Sequence, residues 1–126
     1  MIKLLLLEDD LVLTEMYLDK FTHEKCEVKT AKDGQEGLTI LQSFMPDIIL
    51  LDLIMPNMSG FDFLKALRKD PKFTSIPVLV LTNIYADAED LVKNYRVVGV
   101  MLKANTTPEQ ILEKILSVIS THSALK

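Results

Sequence analysis

The sequence predicts an α/β protein, a doubly wound, five-stranded parallel sheet with helices on both faces, and three observations carry that prediction. Four short apolar runs, Ile2–Leu7, Ile48–Leu51, Val78–Leu81 and the shorter Val97–Leu102, are too short for helices. They do not alternate polar with apolar, which is how strands buried on both faces read, and the alternating Cys26–Ala31 is a weaker fifth. Between them lie segments with helical spacing, so strand and helix alternate along the chain, the order of a parallel sheet covered by helices.

The helices follow in order. The first, about Leu11 to His23, puts Leu13, Met16, Tyr17 and Phe21 on one stripe. Asp33 and Glu36 have capping-box spacing ahead of Leu38, Leu41 and Phe44, and Ser59 and Asp62 have it ahead of Leu64 and Leu67. The fourth helix, about Ala86 to Asn94, is short and has a poor stop signal. The fifth is the best marked: Thr107 as N-cap, Pro108 at the first position and Gln110 at the third precede Ile111, Leu112, Ile115, Leu116 and Ile119.

A chain of 126 residues is expected to form one domain, residues 1–126 with a core of about 2–120, because nothing resembling a linker, repeat or low-complexity tract interrupts it. Apolar residues make up 48% and charged residues 25%, which excludes disordered and collagen-like classes. No run approaches the ~20 apolar residues of a membrane span, and Met1-Ile2-Lys3 does not open a signal peptide, so a cytoplasmic protein without membrane contact is expected. The single cysteine, Cys26, cannot form an internal disulfide. A net charge of −4 argues against direct nucleic-acid binding.

In an open parallel sheet, ligands bind beyond the carboxyl ends of the strands. The residues at those positions are Glu8, Asp9 and Asp10 after the first strand, Asp52 after the third, Thr82 after the fourth and Lys103 after the fifth. Carboxylates crowded together repel, and a hard divalent cation with oxygen ligands, Mg²⁺, relieves them. Such a cation turns an anion-repelling cluster into one that accepts a phosphate oxygen. An aspartate beside it could attack phosphorus in line, with Thr82 and Lys103 serving two of the phosphoryl oxygens.

These residues carry a resemblance to the receiver domain of two-component response regulators. The matching pieces are Leu5–Asp10, the run Ile48–Gly60 with Asp52, Met55-Pro56 and Ser59-Gly60, then Val78–Thr82 and Met101-Leu102-Lys103. The resemblance extends from Ile2 to about Ile119. It implies a flavodoxin-like fold with strand order 2-1-3-4-5. It also implies that Asp52 is the phosphoacceptor, that Glu8, Asp9, Asp52 and the backbone carbonyl of Ile54 hold Mg²⁺, and that Thr82 and Lys103 contact the phosphoryl group. Asp10 reads as the cap of the first helix. The implied partners are a sensor histidine kinase or histidine phosphotransfer protein, and a downstream protein on the fourth helix, fifth strand and fifth helix, with homodimer formation as a further possibility.

Four positions depart from the family pattern: Val100 replaces an aromatic residue, Ala104 a proline, Asn83 a small residue and Arg96 a glycine. A pseudo-receiver, a protein-binding module with lost or rewired switching, is therefore the alternative function. An external-substrate enzyme is not expected: a flavin or nucleotide site would need a phosphate loop after the first strand, and a phosphatase a second aspartate where Ile54 stands. Ile54 and Ile84 are expected to shield an acyl phosphate from water. Bland readings suffice for the rest: His23 and His122 face solvent near helix ends, the methionines and phenylalanines pack in core or loops, and Cys26 is partly buried.

Overall fold

Runs of leucine, isoleucine and valine lose least when both faces of an extended strand are covered, and the computed structural model, which describes residues 1–83 and 88–124, covers them that way. The strands are β1 (Ile2–Leu7), β2 (Cys26–Ala31), β3 (Ile48–Leu51), β4 (Val78–Thr82) and β5 (Gly99–Leu102). All pair in parallel, in the order β2-β1-β3-β4-β5. The helices are α1 (Leu11–His23), α2 (Gly34–Ile40), α3 (Gly60–Lys69), α4 (Ala88–Tyr95) and α5 (Pro108–Ala124).

Strand alternation splits the core in two. Leu5, Leu7, Ile49, Leu51, Val78 and Val80 face α2, α3 and α4, where Phe63, Leu64, Leu67 and Leu91 meet them. Leu4, Leu6, Ile48, Leu50, Leu79 and Leu81 face α1 and α5, through Tyr17, Phe21, Ile111, Leu112 and Ile115. Burying each such side chain contributes roughly 1.5–3 kcal/mol, so both faces must be covered, and a register slip by one residue would exchange the two sets.

The expected caps form. Asp10 accepts from the backbone N–H groups of Val12 and Leu13, Asp33 from Glu36 and Ser59 from Asp62. Thr107 and Gln110 make the reciprocal pair of a capping box. Among the described residues, three non-glycine residues adopt left-handed backbone: Lys25 (φ 65°), Asn57 (φ 61°) and Arg96 (φ 56°).

Several boundaries and burials differ from the expectation. β5 begins at Gly99 rather than Val97, because Val97 turns into the core on the α4 side, and β4 runs on through Thr82. α2 ends at Ile40, so Leu41 and Phe44 are buried from a turn rather than from the helix. α4 reaches Tyr95; its expected start at Ala86 lies outside the described residues, as does Ile84. It ends without glycine because Arg96 itself turns left-handed, a conformation costing roughly 1–2 kcal/mol for an ordinary side chain. Met1, Met16 and Met45 are exposed rather than packed, Phe61 is at the surface, and Cys26 is fully buried. His23 is exposed as expected, its Nδ1 2.7 Å from the Asp19 carbonyl; the His122 side chain lies outside the described residues.

Candidate functional site

The sheet register brings the site together. Leu7 of β1 pairs with Leu51 of β3, Leu51 with Val80 of β4, and Thr82 with Leu102 of β5, so the strands end at one rim. The ladder runs one residue further: Glu8 N donates to the Ala31 carbonyl at 2.9 Å and Asp52 N to the Leu7 carbonyl at 3.1 Å. Glu8 and Asp52 therefore leave the sheet side by side, and Lys103 reaches them as the first residue of a 3₁₀ turn, Lys103–Asn105, after β5.

Both buried carboxylates have defined partners. Glu8 Oε1 is paired with the Lys103 ammonium, and Glu8 Oε2 accepts from Asp10 N at 3.1 Å. Asp52 Oδ2 accepts from Lys103 Nζ at 2.8 Å, while Asp52 Oδ1 accepts from Ile54 N at 3.2 Å. The Glu8, Asp52 and Lys103 side chains retain 2%, 7% and 9% of their exposure, so this charge cluster is largely withdrawn from water.

Burial governs the electrostatics. Desolvation raises the Glu8 pKa above the usual glutamate value, and its hydrogen bonds to Lys103 and Asp10 N offset this only in part, with the Asp52 charge adding to the rise. Lys103 shows the converse. Burial pulls its ammonium down, but hydrogen bonds to Asp52 and Glu8, together with their charges, hold its pKa above the ordinary lysine value. The two directions agree physically, because one ammonium gains two carboxylates whereas Glu8 gains only a share of one ammonium. The cluster lacks positive charge.

The donor set fits a hard divalent cation. Glu8, Asp9 and Asp52 each offer a carboxylate oxygen, all within 4.8 Å of one another, with Asp9 exposed and the other two buried. Oxygen-only donors with one open, exposed side match Mg²⁺, which retains several waters. They border a cleft of about 290 Å³, lined also by Asp10, Leu13, Ile54, Asn83 and Lys103. Thr82 is fully buried at the end of β4 and is not one of the residues that line the cleft. Asp10 is the cap of α1, as its position implied.

A family model for the response regulator receiver domain matches residues 4–116. The chain belongs to that family. As a receiver it resembles the transcriptional regulatory protein CiaR of Streptococcus pneumoniae, 45% identical over 82 residues, which cover 65% of this chain and 35% of that protein. It also resembles PilH of Pseudomonas aeruginosa, 33% identical over 87 residues, 65% of this chain and 68% of PilH. This receiver thus spans about a third of CiaR. Among solved structures it superposes on the chemotaxis protein CheY4 of Vibrio cholerae with a TM-score of 0.84 at 31% identity, covering 94% of this chain and 98% of that one. It shares its fold with a receiver domain protein of Methanospirillum hungatei (TM-score 0.90, 20% identity, 100% and 99% covered). The strand order expected from the sequence is the one observed, and the receiver is a module of two-component signalling. No helix among the described residues is long and apolar enough to cross a membrane.

Reading strand ends found the cleft but missed two contacts between elements far apart in sequence. Asp33 and Asn57 join the loop before α2 to the loop after Asp52, and Arg68 ties the end of α3 to the end of α4. Asp33 is visible in sequence only as a cap, and Arg68 reads as a surface residue on the last turn of a helix.

Proposed function

We propose that Asp52 accepts a phosphoryl group from a histidine kinase or histidine phosphotransfer protein in an Mg²⁺-dependent reaction, and that the domain changes its partner binding in response. The observation that carries this reading is the convergence of Asp52 with Glu8, Asp9 and Lys103 at one rim of the sheet. Glu8, Asp9, Asp52 and the Ile54 carbonyl would hold the ion, which supplies positive charge to the phosphoryl oxygens when bound. A carboxylate oxygen of Asp52 attacks phosphorus in line, the P–N bond of the donor phosphohistidine breaks, and the imidazole leaves with its electron pair. Lys103 is released from Glu8 and Asp52 to neutralise a phosphoryl oxygen, and the Thr82 hydroxyl donates to another. The domain acts on itself rather than on an external substrate.

The proposed unit is the whole chain, 1–126, with a core of about 2–120, working in the cytoplasm without nucleic-acid or membrane contact. Its output surface is α4, β5 and α5, where Val92 and Leu116 are about half exposed and available to a protein partner or a second copy. One observation favours the second reading, a module without the switch: Val100 on β5 offers no ring to turn inward, and packs as a partly buried aliphatic residue.

The test is to add a small phosphodonor with Mg²⁺ and weigh the intact protein. Wild type is expected to gain one phosphoryl group, and Asp52→Asn none. An unchanged wild-type mass would favour the module without switching.

A further inference from the structure

We propose that Asp33 and Asn57, which lie outside the acceptor cleft, are positioning residues that hold the loop after Asp52 in place and so set the affinity of the site for Mg²⁺. The inference rests on the metal-binding reading above.

The loop between Asp52 and Gly60 has no regular structure, yet it is fixed at both ends. At the near end, Ile54 N is bonded to Asp52 Oδ1 at 3.2 Å, and Gly60 N to the Leu53 carbonyl at 3.0 Å. Gly60 lies so close that a Cβ there would meet the Asp52 carbonyl oxygen at 2.3 Å. At the far end, Asn57 Nδ2 donates to Asp33 Oδ2 at 3.0 Å, and the Met58 carbonyl accepts from Gly34 N at 2.9 Å. A Cβ on Gly34 would meet Met58 Cγ at 2.6 Å, so the two loops touch backbone to side chain with no space between them.

The anchor is rigid for a local reason. Asp33 is buried and divides its two oxygens: Oδ1 caps α2 by accepting from Glu36 N at 2.8 Å, and Oδ2 takes the Asn57 amide. The carboxylate thus transmits the position of α2 to Asn57. Asn57 needs that hold, because its backbone is left-handed (φ 61°), a conformation asparagine tolerates but does not prefer. Between Asn57 and Ile54 stand only the buried Met55 and the φ-restricted Pro56. Freeing Asn57 would therefore let the segment that carries the Ile54 carbonyl relax. Mg²⁺ demands near-octahedral geometry, so a displaced ligand is felt as lost affinity.

The experiment is a calorimetric titration of the full chain with Mg²⁺. Asp33→Ser keeps a helix cap but is too short to reach Asn57. Asn57→Gly keeps the left-handed backbone and removes the amide. Each should weaken Mg²⁺ binding by about tenfold, the scale seen when a residue that orients a metal ligand is lost. The double variant should be no weaker than either single one, since both remove the same bond. Asp33→Asn should bind close to wild type, because its amide can donate to a flipped Asn57 while its oxygen still caps α2. If Asp33→Ser does not fold, Asn57→Gly decides alone. Unchanged affinity in these variants, or losses that multiply in the double variant, would overturn the inference while leaving the site itself intact. A wild-type chain that binds no Mg²⁺ overturns the inference and the metal-binding reading together.

Discussion

Nζ of Lys103 lies 2.8 Å from Oδ2 of Asp52, although 51 residues separate the two in sequence. The same ammonium holds Glu8, so one lysine is shared between two of the three carboxylates a cation would use. A cation at these carboxylates would therefore compete with the lysine. Lys103→Met should tighten Mg²⁺ binding several-fold, measured by calorimetry. In the metal-free form it should destabilise the fold by roughly 3 kcal/mol, because buried carboxylates lose their partner. Unchanged Mg²⁺ affinity would show that the ammonium does not obstruct the ion.

Ile54 lines the cleft beside Asp52 and is 54% exposed. An apolar side chain there gives an attacking water no hydrogen bond to settle on, so an acyl phosphate on Asp52 should be lost slowly. Ile54→Asn supplies an amide at that place and should shorten the lifetime. Timing phosphate release after charging checks both statements. A wild-type half-life of seconds would contradict the shielding role.

Arg68 donates to four backbone carbonyls: Nε to Tyr95 at 2.7 Å, Nη1 to Thr74 at 3.0 Å and Ile76 at 2.9 Å, and Nη2 to Arg96 at 3.4 Å. Burial, with the Arg96 charge nearby, pulls its pKa down to about 10, so it remains a cation at neutral pH. Arg68→Ala should cost about 2–3 kcal/mol in urea unfolding, since several carbonyls lose their donor. Arg68→Lys, with a compact ammonium in place of the planar fork, should recover only part of that. Equal stabilities of wild type and Arg68→Ala would mean that water replaces the guanidinium without loss.

Asp33 carries a pH signature. Hydrogen bonds from Glu36 N and then from Asn57 hold its carboxyl below the ordinary 3.8, so the folded chain binds this proton less readily than the unfolded one. The stability it adds is fully present above pH 3.8 and is lost as pH falls through the lower folded value. The difference in urea midpoint between wild type and Asp33→Ser should therefore shrink as the solution is acidified below that point. A difference that stays constant with pH would assign the effect of Asp33 to its shape rather than its charge.

Local chemistry explains what could be read from the sequence. Leu4–Leu7 and Ile48–Leu51 announce buried strands because no polar side chain interrupts them, and the side chains just past their ends, Glu8 and Asp52, then had to share a rim. Caps such as Asp10 and Thr107 were legible because their bonds span only two or three residues. The end of α4 was not, since Arg96 stops the helix with a backbone conformation usually left to glycine, steadied by contacts from Arg68, 28 positions away. The Asp33–Asn57 bond was hidden for the same reason, spanning 24 residues between two loops. Exposed Met16 and Met45 were misplaced because hydrophobicity alone does not say which side of a helix or turn meets solvent.

The cleft is made from the ends of four strands, and it exists only once three parallel pairings, β1 with β3, β3 with β4 and β4 with β5, have all formed. Each pairing joins segments separated by a helical crossover, and such non-local contacts form slowly because the intervening chain must first be closed into a loop. Nothing short of β1, β3, β4 and β5 together can present Glu8, Asp52 and Lys103 side by side. A cation held there would bind the finished fold and not the unfolded chain, so by mass action its concentration would help to set how much of the protein is folded.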